Sequence, residues 1–173
     1  NRMTDSERIW LRSYLDLYRT SVFDESVHDD LLEAKVHWQD AQTHGNKVIF
    51  LGNGGSAAEA QHTAGELVGR FGYNRRGLPA IALTTDSKIL TAIANDFGYE
   101  SVFSRQIEAL GMPGDILFAY STSGRSPNII QAMKAAKKKQ ITIVAFTGQD
   151  PSDMAAFADY ILAIPSVSTP RVQ

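Results

Sequence analysis

The 173-residue chain contains no cysteine, which excludes disulfides and thiolate metal sites. It has no excess of positive charge either: 17 Lys and Arg stand against 19 Asp and Glu, a formal net charge of −2. That balance argues against a nucleic-acid binder relying on a broad basic surface. The one local basic run, Lys137-Lys138-Lys139, falls at the end of an expected helix, where cations complement the helix dipole. No apolar run reaches the roughly 18 residues that span a bilayer, and no signal-peptide pattern opens the chain. The expectation is a soluble cytoplasmic protein with neither membrane nor nucleic acid as partner. Internal repeats, low-complexity segments and linkers are also missing. What remains is one domain's worth of chain over 1–173, with 43% apolar residues to fill a single core. Both ends read as trimmed, since the chain opens Asn1-Arg2-Met3 and closes at Gln173. Thr169-Pro170 reads as an N-cap with proline at the first helical position, so a helix is expected to open over 169–173.

The apolar pattern changes along the chain. Residues 5–22 and 25–44 read as two amphipathic helices. In the second, Val27, Leu31, Ala34, Trp38 and Ala41 recur at helical spacing before Gly45 stops it. Short apolar runs then alternate with helical stretches, at Lys47–Leu51, Pro79–Leu83, Asp115–Tyr120, Ile141–Phe146 and Tyr160–Pro165. Runs of this kind mark a parallel sheet buried on both faces. The expected fold is α/β, a three-layer, doubly wound and mainly five-stranded parallel sheet preceded by two helices. Because one sheet cannot bury both faces of those helices, they are expected to form an interface between subunits. Ligands bind such sheets at the carboxyl ends of the strands, near the switch in strand order, which directs attention to the loops after the first and third strands.

The first of these loops is Gly52-Asn53-Gly54-Gly55-Ser56. Three glycines in four residues permit a tight turn and let a ligand approach the main chain. Ser56 and Glu59 match the S-x-x-E capping box. The loop is neither the G-x-G-x-x-G dinucleotide fingerprint nor a P-loop. The second loop, Ser121-Thr122-Ser123-Gly124-Arg125-Ser126-Pro127, carries four hydroxyls in six residues. Ser126 fits the N-cap of the next helix and Pro127 its first turn. Unpaired N–H groups at the positive end of a helix, with neutral hydroxyl donors beside them, suit a phosphate monoester. Asp150-Pro151-Ser152-Asp153 uses the same cap-plus-proline device, but its carboxylates repel phosphate, so it reads as structural.

On the helix after the first loop, Glu59, His62, Glu66 and Arg70 fall at spacings of three, four and four, which predicts one face. Their neighbours Ala57, Ala58, Ala60, Ala64, Gly65 and Gly69 are small and suggest close packing around this helix. His62 and Glu66 suit metal ligation, acid–base work or a plain ion pair equally well. The segment from Thr84-Thr85-Asp86 to Ala94-Asn95-Asp96 is polar where the fold places loops over the sheet edge.

These segments together resemble the phosphoheptose isomerase family of the sugar isomerase (SIS) fold group. The resemblance is carried by Gly52 to Ala58, Ala60-Gln61-His62, Glu66 to Phe71, Leu83 to Asp86, Leu90 to Ile93, Asn95 to Gly98 and Ser121 to Gly124. It implies conversion of D-sedoheptulose 7-phosphate to D-glycero-D-manno-heptose 7-phosphate through an enediol, toward activated heptoses for lipopolysaccharide or capsule. It implies a homotetramer with active sites shared between subunits, and a zinc ion. Carried over by position, Ser121, Thr122, Ser123 and Ser126 would hold the phosphate with Ser56 nearby. Asn53 and Asp96 would contact the sugar, and Gly54, Gly55, Arg70, Asn95 and Gln173 belong to the implied substrate set. Glu66 would be the general base, and His62, Glu66 and Gln173 match three of four zinc ligands. The family's remaining acid/base histidine falls past Gln173, and Glu59 and Ser168 stand where members often carry other residues. The rival expectation is a non-catalytic SIS-fold protein that binds the replication initiator or senses a sugar phosphate; the Glu66 carboxylate and Gly55 favour the enzyme.

Overall fold

Ile49 and Leu51 alternate with Val48 and Phe50 along a four-residue strand in which every side chain is buried, the pattern of a sheet covered on both faces. In the computed structural model, which describes residues 4–22, 25–150, 152–166 and 168–169, that strand lies inside a five-stranded parallel sheet. The strands are β1 (Val48–Leu51), β2 (Ala80–Ala82), β3 (Ile116–Ser121), β4 (Thr142–Thr147) and β5 (Tyr160–Ala163), in the order β2-β1-β3-β4-β5. The order reverses between β1 and β3, which run in register from Val48↔Ile116 to Leu51↔Ala119. The expected sheet is present. The strands β3 and β4 each sit one residue later than the apolar runs suggest, so Ser121 and Thr147 close them as register partners.

Two helices precede the sheet, α1 (Asp5–Val22) and α2 (Glu25–Thr43), as the periodicity predicts, and Gly45 follows the second at φ +79°. Of the face read into α2, Ala34, Trp38 and Ala41 turn to the sheet and pack near Ile116, Val144 and Leu162, whereas Leu31 stays about half exposed; the Val27 side chain lies outside the described ones. The third helix, α3 (Gly55–Val68), packs Ala60 and Ala64 on Val48, Phe50 and Ala82 beside α2. The opposite face of the sheet is covered by α4 (Ser87–Phe97), α5 (Ser104–Leu110), α6 (Pro127–Lys138) and α7 (Ser152–Ala155), around a core that includes Phe103, Ile107, Leu117, Ile129 and Met133. Lys137 and Lys138 occupy the last turn of α6, as expected. A short 3-10 turn, Tyr99–Ser101, joins α4 to α5.

One expectation fails here. The segment from Thr84 to Asp96 is mostly α4 and not a loop. Its Asp86 side chain accepts from the Ile89 N–H at 2.9 Å and caps the helix, while Leu90, Ile93 and Ala94 turn to the core. The helix expected over 169–173 lies, beyond Thr169, outside the described residues. Among the described residues no helix is long and apolar enough to cross a membrane.

Candidate active site

At the switch in strand order, the turn after β1 and the turn after β3 face each other. Gly52 is required by close approach: a Cβ there would come within 2.6 Å of the Ser56 carbonyl oxygen. Gly54 takes φ +56° and is the N-cap of α3. The helix therefore begins at Gly55, two residues before the capping box needs it to. Ser56 lies within the first turn, and no side chain caps α3, so the expected Ser56–Glu59 capping box does not form. Freed from that task, Ser56 is 8% exposed and lines a cleft of about 260 Å³ with Gly55, Glu59, Ser121, Thr122 and Thr147.

The β3 turn is built as the sequence suggests. Ser126 is the N-cap of α6 and Pro127 follows it, but the Ser126 hydroxyl caps nothing. It lies 3.3 Å from the Ser121 hydroxyl, and Gly124 closes the turn at φ +65°. Ser123 Oγ accepts from the Arg125 N–H at 3.3 Å. The Thr122 hydroxyl lies 3.5 Å from that of Thr169. The backbone N–H groups of Ser123, Ser126 and Asn128 make no hydrogen bond among the described residues. Four hydroxyls, three N–H groups and a helix N-terminus thus converge with no net charge, since Arg125 pairs with Asp150 at 2.7 Å. Neutral donors at the positive end of a helix are chemistry that suits an anion.

Thr147, missed by the sequence reading, is 1% exposed at the end of β4, and its hydroxyl has no partner among the described residues. Its signal was available in the strand register, because it stands opposite Ser121. Tyr120 also lines the cleft. Burial pushes its phenol up to about 12, against a hydrogen bond with Thr63 that lowers it and with the Glu59 charge that adds to the rise. The group is a neutral hydroxyl at physiological pH.

The carboxylates divide. Glu59 lines the cleft, whereas Glu66 is ten residues beyond Ser56 on α3, about 15 Å along the axis at 1.5 Å per residue. Glu59 and His62 are exposed and Glu66 is half-buried, and none of the three side chains has a hydrogen bond or ion pair among the described residues, although the Glu66 carbonyl accepts from Arg75 at 2.7 Å. The ion-pair reading of His62 and Glu66 therefore fails. Arg70 leaves the stripe, because α3 ends at Val68 with Gly69 as its C-cap. The small residues around α3 also divide: Ala60 and Ala64 are buried, but Ala58 and Gly65 are exposed.

For a metal, His62 and Glu66 offer one nitrogen and one carboxylate donor a turn apart. Gln173 lies outside the described residues. No three His, Cys, Asp or Glu side chains cluster among the described residues, so these supply only part of a zinc ligand set.

Asn53 reaches across the switch point to Asn128, whose side chain is 1% exposed. The two carboxamides pair reciprocally, at 2.9 and 2.8 Å, and the Tyr99 hydroxyl donates to Asn53 Oδ1 at 3.1 Å. Neither Asn128 nor Tyr99 was anticipated; no local pattern announces a pair separated by 75 positions. Asn95 donates to Asp96 at 2.8 Å in the last turn of α4, where both are exposed.

Comparison with known proteins places this geometry. Residues 14–148 match the SIS domain family. The chain is 58% identical over 129 residues to the phosphoheptose isomerase of Burkholderia pseudomallei, an alignment covering 75% of this chain and 66% of that protein. It therefore spans just under two thirds of that relative's length. It is 45% identical over 171 residues to the phosphoheptose isomerase of Aneurinibacillus thermoaerophilus, covering 99% of this chain and 86% of the relative. The structure of phosphoheptose isomerase from Neisseria gonorrhoeae superposes with a TM-score of 0.88 at 37% identity, covering 98% of this chain and 90% of that one.

Proposed function

Because the chain belongs to the phosphoheptose isomerase family of SIS-domain proteins, we propose that it interconverts D-sedoheptulose 7-phosphate and D-glycero-D-manno-heptose 7-phosphate. The reaction supplies the first intermediate toward nucleotide-activated heptoses, in the cytoplasm. The observation that carries this reading is the neutral donor cluster of Ser121, Thr122, Ser123 and Ser126 facing Ser56 across the switch point, beside a helix that carries two unpaired carboxylates. The phosphate sits in the β3 turn. Glu59 would repel it, so the sugar chain and not the phosphate extends along α3.

The chemistry is redox-neutral. A base removes the proton from C1 of the ketose, the electrons form an enediol between C1 and C2, and the proton returns to C2 while the C1 hydroxyl becomes the aldehyde. Glu66 is the base. It has no partner to hold its charge, and the reacting carbons lie at the far end of a seven-carbon chain from the phosphate. Asn53 and Asp96 contact the sugar hydroxyls, with Asn95 and Arg70 beside them. His62 and Glu66, with Gln173, would hold a zinc ion that polarises the substrate oxygens; the proton transfer assigned here uses Glu66 alone.

We extend the proposal to assembly as a homotetramer. Ile9, Trp10 and Leu15 of α1 are more than half exposed, and an apolar trough of about 370 Å³ lies open between α2 and α3 over Phe50, Leu67, Phe118 and Phe146. A second copy covering this face would bury that apolar surface. Turnover of D-sedoheptulose 7-phosphate by the intact protein, lost in Glu66→Gln, is the expected result. Turnover that survives Glu66→Gln would remove the base assignment.

A further inference from the structure

The carboxamide of Asn53 is held by three hydrogen bonds whose directions follow from one backbone group. The Ile129 N–H is shared between the Ser126 carbonyl at 3.1 Å and Asn128 Oδ1 at 3.0 Å, and a backbone N–H can only donate. Asn128 therefore presents Nδ2 as its donor, and this meets Asn53 Oδ1 at 2.8 Å. Asn53 in turn directs Nδ2 to Asn128 Oδ1 at 2.9 Å. The Tyr99 hydroxyl then has one possible role toward Asn53 Oδ1, that of donor, at 3.1 Å. With both lone pairs of Oδ1 engaged and one Nδ2 hydrogen committed, Asn53 keeps a single unpaired polar atom, its second N–H.

We infer that Asn128 and Tyr99 are positioning residues that lock Asn53 as a hydrogen-bond donor, so that the substrate atom it meets is an acceptor oxygen of the sugar. The inference rests on the proposed isomerase reading, in which Asn53 contacts the sugar. Its chemistry fits that reaction. A fixed N–H aimed at an oxygen of the bound sugar holds that oxygen without reorganising on binding. A flipped amide would aim its carbonyl at the same oxygen and repel it. Asn128 is nearly fully buried and Asn53 half-buried, so the pair cannot turn over without breaking the Ile129 contact. Tyr99 lies 61% exposed at the rim, where its loss leaves the core untouched.

The test is a double-mutant cycle on kcat/KM for D-sedoheptulose 7-phosphate in the intact protein, with thermal stability measured alongside. Asn53→Ala is expected to lower kcat/KM about 100-fold, the size seen when one preorganised donor is removed. Tyr99→Phe in the wild-type background is expected to lower it about 3- to 10-fold with no change in melting temperature. In the Asn53→Ala background Tyr99→Phe should lose less than about twofold, because its effect passes through Asn53. Asn53→Asp, which offers only acceptors, should fall at or below Asn53→Ala. Equal losses for Tyr99→Phe in both backgrounds, an active Asn53→Ala, or an Asn53→Asp well above Asn53→Ala would each overturn the lock while leaving the isomerase reading intact. A wild-type protein that does not turn over the sugar phosphate would instead remove that reading, and the inference with it.

Discussion

At the amino ends of the strands, the carboxylate of Asp115 is 1% exposed and surrounded by donors: the Lys47 N–H at 3.0 Å, the Lys47 ammonium at 2.6 Å and the Met112 N–H at 2.8 Å. At the carboxyl ends, Glu59 and Glu66 have no such partner among the described residues, the Thr147 hydroxyl is buried alone, and three N–H groups of the β3 turn are unpaired. Burying a polar group without a partner costs stability, so a fold under no other demand would saturate both ends. The Asp115 cluster is saturated, although on the same edge Gln42 Oε1, beside Pro79, is buried without a partner among the described residues. The proposed ligand would engage the unpartnered groups of the carboxyl edge, whereas Asp115 at the other edge is held by structure alone.

Substitutions at the two edges should therefore fail in different ways. The largest effect belongs to Glu66→Gln, which keeps the shape and removes the proposed base; kcat should fall by about 10²- to 10⁴-fold with the melting temperature unchanged. At the opposite edge, Asp115→Ala strands the Lys47 ammonium and two backbone N–H groups. A loss of about 3 kcal/mol in unfolding free energy is expected, read by denaturant titration, with kcat/KM of the folded protein within about twofold of wild type. Ser121→Ala should raise KM for the sugar phosphate about tenfold, the worth of one hydrogen bond to a charged group, with little change in stability. A comparable stability loss in Ser121→Ala and Asp115→Ala would erase the distinction between the edges.

The smallest effect is a pH dependence. Burial holds the Tyr120 proton more tightly in the folded chain than in the unfolded one, where the phenol titrates near 10. Its contribution to stability is present in full below pH 10 and is lost as the pH rises toward about 12. Tyr120→Phe should flatten stability over that interval, and unfolding curves between pH 9 and about 12 measure it.

Much of this contrast was legible in the sequence, and the reasons are local. The strands, α1 and α2 follow from apolar spacing, α3 from the spacing of its charged stripe, and α6 and the Ser121–Ser126 turn from the hydroxyls and the Ser126-Pro127 pair. Three features were not legible. The helix α5 has seven residues, too short for a period to repeat, and α4 was hidden because its polar end residues suggested a loop. The end of α3 at Val68 removes Arg70 from a stripe that spacing alone extends to it. The Asn53–Asn128 pair depends on how β1 and α6 meet in space, which no local pattern encodes. Spacing aligned Glu59 and Glu66 along one face, but it did not reveal that only Glu59 lines the cleft of Ser56 and Ser121.

The most direct test of the isomerase reading is to incubate the intact protein with D-sedoheptulose 7-phosphate in deuterium oxide and follow the products by proton NMR. Because the proposed base, Glu66, is only half-buried and so open to solvent, the account predicts D-glycero-D-manno-heptose 7-phosphate carrying deuterium at C2. No aldose formed, or an aldose whose C2 hydrogen comes wholly from the substrate, would contradict it.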